Sequence, residues 1–229
     1  MSNNRKNKLK VAIIVGNHPF DVISFYDMFS KFNDIESYIQ NLEDFVMDIN
    51  NNKKKYDVIV FYNFHMSTTP TIYQEDWLNK NFKTGIDNFF KDIGETECGI
   101  VIFHHSLLAF PKSEIWSNIC GIKSRSFGFH LKQKVSVKIS KKDHPITRNI
   151  KDWSMIDETY TMDDAPINEN EILLETDHPL SMNTLAWTRK YKKARVFCFV
   201  LGHNNMAYKN PNFKKVLIHG IEYVSGRTC

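Results

Sequence analysis

The stretch G-I-V-I-F-H-H-S, residues 99–106, is an apolar run rich in β-branched residues that ends on two histidines and a serine. Imidazoles in that place can ligate a metal, move a proton, or cap the element that follows. Histidines follow three other apolar runs in the same way: His18 after V-A-I-I-V-G-N, His65 after Y-D-V-I-V-F-Y-N-F, and His203 after R-V-F-C-F-V-L-G. Successive side chains on a strand point to opposite faces, so His104 and His105 share one pocket only if the backbone turns between them. His105 lies further into the loop and is expected in the site, with His104 supporting it.

Glu158 and Tyr160 are two residues apart, which in an extended loop puts both on one side. The carboxylate could serve as general base or metal ligand, and the phenol could donate a hydrogen bond to a substrate. An acidic surface turn is the alternative, because Asp157, Asp163 and Asp164 are close by. His203 follows Gly202, which allows the backbone either to approach a ligand closely or simply to turn. Ser106 and Asn204 flank these histidines and are further binding candidates. Trp187 could offer a sugar-stacking face or pack in the core. His18 precedes Pro19 and orders a turn or lines the site, and Asp21 reads as a helix cap. His144 begins a His-Pro turn, while His130, His178 and His219 read as structural or exposed.

A zinc site needs three or four His or carboxylate ligands at about 2.0–2.2 Å. His18, His105, Glu158 and His203 could supply them. No H-x-H or H-E-x-x-H spacing is present, so a divalent metal rests on fold geometry alone. A metal-free acid/base site built from the same residues is equally open.

These residues must be positioned by the elements between them. Val11 to Val15, Tyr56 to Phe64, Gly99 to Phe103 and Arg195 to Leu201 read as buried strands, and Ile35 to Ile39 as another. Phe20, Ile23, Phe25, Met28, Phe29 and Phe32 recur near a 3.6-residue period, as do the apolar residues of 75–92 and 211–224. Strands that are apolar on both faces and alternate with helices predict an α/β three-layer sandwich, a mostly parallel sheet with helices on both faces. Residues 134–141 alternate and read as a half-exposed strand, with short strands at 172–175 and 185–188. In parallel sheets ligands bind outside the carboxyl ends of the strands, which is where the histidines collect.

The chain has 229 residues, with 42% hydrophobic and 24% charged, as in ordinary globular proteins. One domain over 10–226 after a basic arm at 1–9 is the economical division. The net charge of +4 is largely local, in the arm and in Lys53-Lys54-Lys55. No basic stripe is interleaved with aromatics, so nucleic acid is not an expected partner. The first apolar run is too short for a signal core or a membrane span. Cys98, Cys120, Cys198 and Cys229 show no C-x-x-C spacing and read as reduced thiols of a cytoplasmic protein.

Six motifs now stand in order: G-N-H-P-F-D, G-I-V-I-F-H-H-S, K-K-D-H-P-I-T, D-E-T-Y, A-W-T-R-K-Y-K-K-A-R-V-F with L-G-H-N, and N-P-N-F-K-K-V-L-I-H-G-I-E-Y-V. Over about residues 10 to 226 this resembles the trehalose-utilisation (ThuA-like) family. The resemblance implies a flavodoxin-like fold similar to that of class I glutamine amidotransferases, and a small-molecule sugar or sugar derivative as partner; a homo-oligomer is left open. It also favours Glu158 as a site residue, with His105, Glu158 and His203 as the acid/base groups. Amidotransferases carry a nucleophilic cysteine on the turn that here reads Phe103-His104-His105-Ser106. Cys98 precedes that strand and Cys198 lies inside another, so a cysteine triad is not expected, and Ser106 lacks the glycines of G-x-S-x-G. A binding module without catalysis and a divergent amidotransferase-like hydrolase are the rival expectations.

Overall fold

The computed structural model describes residues 8–47, 55–67 and 76–227, with side chains in the last segment described from 84 onward. Residues 1–7 of the basic arm, Lys53, Lys54, Cys229 and the side chains of Trp77, Leu78 and Phe82 lie outside the described residues.

Strand β1 (Leu9–Gly16) is apolar on both faces and runs to helix α1 (Val22–Ser30), where the Asp21 carboxylate accepts the Ser24 N–H at 3.0 Å as an N-cap. Helix α1 buries Phe25, Met28 and Phe29, but Ile23 is 82% exposed and does not belong to its apolar face. Strand β2 (Ile35–Asn41), helix α2 (Leu42–Met47), strand β3 (Val58–Asn63), helix α3 (Asp76–Asp92) and strand β4 (Gly99–Phe103) follow. Helix α4 (Glu114–Cys120) leads into β5 (Gly128–Ile139), β6 (Trp153–Thr161), β7 (Glu171–Glu175), β8 (Thr184–Tyr191) and β9 (Ala194–Phe199), before α5 (Asn205–Lys209) and α6 (Pro211–Val224).

The nine strands form one sheet in the order β2-β1-β3-β4-β9-β8-β7-β5-β6. The first five are parallel neighbours and follow the doubly wound order, with β9 in the last place. The sheet as a whole is mixed, not mostly parallel: β9, β8, β7, β5 and β6 pair antiparallel. The reason is local. Only Lys192 and Lys193 separate β8 from β9, and a two-residue connection permits a hairpin but no parallel crossover. Lys192 takes the left-handed conformation (φ 53°) that this turn needs, without the Asn-Gly that usually advertises it.

Helices cover both faces of the parallel half. Phe61 and Tyr62 are neighbours on β3 and point to opposite sides. Phe61 packs on Trp116 of α4 at 4.9 Å, and Tyr62 stacks on Phe25 of α1 at 4.7 Å. Strands β3, β4 and β9 are buried almost throughout, so the core is continuous above and below the sheet centre. No helix among the described residues is long and apolar enough to cross a membrane.

Candidate functional site

The site is assembled where β4 and β9 end side by side. After Phe103, His104 enters the left-handed region at φ 53° and opens a short 3-10 turn over His104–Leu108. The left-handed residue supplies the backbone turn that lets adjacent histidines serve one region. His104 is fully buried; its Nδ1 meets the Val200 carbonyl at 2.6 Å, leaving Nε2 facing Glu158 Oε2 at 3.1 Å, the Tyr160 hydroxyl at 2.8 Å and His203 Nδ1 at 3.3 Å. His203 Nδ1 lies 3.2 Å from Glu158 Oε2, and Tyr160 donates to the same oxygen at 2.7 Å.

Glu158 and Tyr160 stand on β6, not in a loop, and strand alternation puts them on one face. Asp157, on the opposite side of that strand, is no surface acid: it is buried, and its carboxylate accepts the N–H groups of Gly202 (2.7 Å), His203 (3.0 Å) and Glu158 (2.9 Å). Tyr62 and Tyr208, hydroxyl to hydroxyl at 2.6 Å, hold the carbonyls of the same loop. Tyr62 donates to Gly202 at 3.0 Å, and Tyr208 reaches His203 at 3.2 Å. The peptide units that carry His203 are therefore clamped on both N–H and C=O sides. Only the run of acidic residues around Asp157 was visible in the sequence. Its role depends on β6 lying beside the end of β9, and that adjacency has no local signal.

Electrostatics separate the histidines. Burial would push the Glu158 carboxyl up, but its contacts with His104 and His203 and the Tyr160 hydroxyl overcome it and hold it well below the ordinary range. Its carboxylate in turn raises His203 against the effect of burial. His105 and His18 go the other way: burial lowers both, His105 strongly, with neighbouring histidines adding to the effect. Burial also pushes the Tyr160 phenol and the Asp157 carboxyl upward.

His105 points elsewhere than His104. Its Nε2 meets the Tyr62 carbonyl at 2.9 Å, and its ring stacks on His18 with centroids 4.1 Å apart. Nδ1 of His105 and Nδ1 of His18 are both buried without a hydrogen-bond partner. These two histidines, Glu158 and Tyr160 line a pocket of about 210 Å³ together with Phe64, Phe127 and Phe129. A larger cleft of about 410 Å³ beside Ser113, Lys123 and Arg189 contains none of these histidines.

Several expected placements are corrected. The histidine joined to Glu158 and His203 is His104, not His105, because the turn falls one residue earlier than a straight strand would put it. The ligand-distance group among the described residues is His104, Glu158 and His203; His18 and His105 lie beside it. Trp187 is fully buried and donates to the Cys120 carbonyl at 2.9 Å, so it offers no face to a sugar. Ser106 is buried and donates to Asn63 at 3.1 Å; Asn63 continues to His65 and Glu43 in a separate network under the sheet edge. Tyr160 lines the pocket as well, with its hydroxyl bonded to His104 and Glu158 inside the cluster. Asn204 caps α5 through the Met206 N–H at 2.9 Å.

Among the described residues no thiol stands at this edge of the sheet. Cys98 lies before β4 and Cys120 ends α4, each pushed up to about 12 by burial, and burial also pushes Cys198 inside β9 well up.

Solved structures share this architecture. A protein described as ThuA-like from Parabacteroides merdae superposes with a TM-score of 0.69 at 18% identity, covering 97% of this chain and 92% of that one. A cytoplasmic protein of Salmonella typhimurium gives 0.65 at 12%, over 94% and 99%. A glutamine amidotransferase of Thermotoga maritima gives 0.51 at 10%, over 96% and 99%. At such identities the likeness is one of fold. No curated protein matches the sequence. The description of the trehalose-utilisation family matches residues 24–224, the span that carries His104, Glu158 and His203. The chain belongs to the trehalose-utilisation (ThuA) family.

Proposed function

We propose that the protein works on a sugar or an oxidised sugar derivative, held in the pocket lined by His18, His105, Glu158 and the three phenylalanines. One observation carries this reading: His18 and His105, each with a buried imidazole nitrogen that lacks a partner, line the same pocket as Phe64, Phe127, Phe129 and Tyr160. An unpaired buried polar atom is costly, and a ligand hydroxyl would satisfy it while apolar ring faces cover the sugar's C–H surface. The family's trehalose-utilisation description supports the sugar class.

The opposite electrostatic shifts support the proton roles of this reading. His203, raised by Glu158, is the donor, and His105, kept neutral by burial, is the acceptor. Glu158, held low, pairs with His203 Nδ1, while His104 is pinned to the Val200 carbonyl beside the carboxylate. Reduced, buried thiols and the description of the Salmonella neighbour support the cytoplasm as its compartment.

Calorimetry with trehalose, glucose, keto-sugars and aldonic acids tests the reading. Saturable binding to one class is expected, weakened at least about tenfold in His105→Ala, the loss of about 1.4 kcal/mol. No binding across the panel overturns the substrate class. Binding without product over long incubation supports the second reading, a sugar-binding module.

A further inference from the structure

We infer that His104 Nε2, Glu158 Oε2 and His203 Nδ1 form a site for one divalent transition-metal ion of the zinc class. The inference rests on the reading of the pocket as a working site, but its test needs no sugar.

Geometry is the first support. The three atoms come from three separate chain segments and stand 3.1, 3.2 and 3.3 Å apart. Ligands at about 2.0–2.2 Å in a tetrahedron are separated by roughly 3.3–3.6 Å, so the triangle is within a few tenths of an ångström of one face. Two imidazoles and one glutamate form a ligand set that leaves a coordination position open. Among the described residues, no other group of three such side chains meets at ligand distance.

Proton counting is the second. Four polar atoms, the three above and the Tyr160 hydroxyl, make five contacts of 2.7–3.3 Å with one another. The Nδ1 proton of His104 is committed to the Val200 carbonyl. With His104 Nε2 bare, only two protons are left inside the cluster, one on the Tyr160 hydroxyl and one on His203 Nδ1. Several lone pairs therefore face each other in a buried space, an arrangement a cation resolves. The committed Nδ1–H is also the support a ligating histidine needs, since a backbone carbonyl on the far nitrogen fixes the ring and leaves Nε2 bare. Further support comes from the loop that carries His203, clamped by Asp157, Tyr62 and Tyr208 before any ion arrives.

With the ion in place, Glu158, His104 and His203 are ligands, and acid–base work passes to His105 and His18. Both line the pocket, and each has a buried nitrogen without a partner. An ion of this kind would polarise a carbonyl or hydroxyl oxygen of a bound ligand.

The test uses tag-free full-length protein, stripped with chelator and titrated with zinc chloride by calorimetry. Cobalt(II) is the spectroscopic probe. About one equivalent of zinc should bind, and cobalt should give the visible absorption of a four-coordinate ion. His203→Ala and Glu158→Gln should each weaken zinc binding by at least about tenfold, and His18→Ala should not. His203 is partly exposed, so its alanine variant is the one to rely on if the Glu158 variant fails to fold. No zinc or cobalt binding to the wild type, or equal binding to wild type and His203→Ala, overturns the inference. Sugar binding by the stripped protein with no metal uptake overturns the metal alone. Metal uptake with no sugar binding overturns the sugar reading and leaves the metal site standing.

Discussion

His104 Nε2 and Glu158 Oε2 lie 3.1 Å apart across a sequence separation of 54 residues. Strand β4 delivers one and β6 the other, from opposite halves of a mixed sheet, and the contact closes the gap between them at the sheet edge. The carboxylate also holds His203 and Tyr160, so one oxygen gathers three side chains. The following expectations derive from how that point is supported.

Asp157→Asn should loosen the loop that carries His203. An amide has one acceptor oxygen in place of two, and its NH2 group would face backbone N–H groups that now have a carboxylate. A loss of about 1–3 kcal/mol is expected in chemical denaturation. Zinc or sugar binding should weaken as well, although Asp157 touches neither. Unchanged stability would show that the three N–H groups find other partners.

Gly202→Ala tests the same loop by sterics. Gly202 sits at φ 125°, and an added Cβ would lie 2.1 Å from Phe103 Cε2. Both the backbone conformation and the ring oppose it, for about 1–3 kcal/mol or more. The melting temperature should fall, and Gly202→Ala should bind ligand more weakly than its stability alone explains.

The Glu43–His65 pair, at 2.7 Å under the sheet edge, sets a pH dependence away from the pocket. Burial would raise the Glu43 carboxyl, but the hydrogen bond to His65 prevails and lowers it below its ordinary 4.5. A depressed folded value means that the stabilisation is present above pH 4.5 and lost as pH falls through the folded value. Urea denaturation across the acid range should show stability declining there, and Glu43→Gln should flatten that limb. A Glu43→Gln variant with an unchanged acid limb would assign it to other carboxylates.

The thiols should be inert in the native fold. With Cys98 and Cys120 pushed up to about 12, and Cys198 raised well above its ordinary value by burial, little thiolate is present at pH 8. In a Cys229→Ser background, a glutamine-analogue electrophile should leave the folded protein unlabelled and modify it only after denaturation. Rapid labelling of a single native cysteine would reinstate a thiol mechanism.

The sequence displayed some of this directly. The buried strands were legible because β1, β3, β4 and β9 are apolar on both faces, and the closing helix because Phe213, Val216, Leu217, Ile221 and Val224 recur at helical spacing from a proline start. Delivery of histidines to one sheet edge was also legible, because parallel strands end on the same side. Strand β6 was not. Its residues W-S-M-I-D-E-T-Y-T bear acids that read as a turn, and only pairing with β5 makes it extended. Trp187 could have faced solvent or core by composition alone, and the hairpin with β9 decided for the core.

By itself the sequence determined which segments are apolar on both faces, and so which must lie inside a sheet covered by helices. It determined as well that His18, His104, His105 and His203 follow such segments. Periodicity reports burial, and burial is a local demand on side chains. Tertiary structure alone decided that His104 rather than His105 meets Glu158, that Asp157 holds the His203 loop, and that Ser106 and Trp187 face away from the pocket. Each of these depends on a backbone torsion or on strands brought side by side from distant parts of the chain. A left-handed φ at one histidine exchanges the roles of two neighbours, and side-chain type carries no record of that rotation.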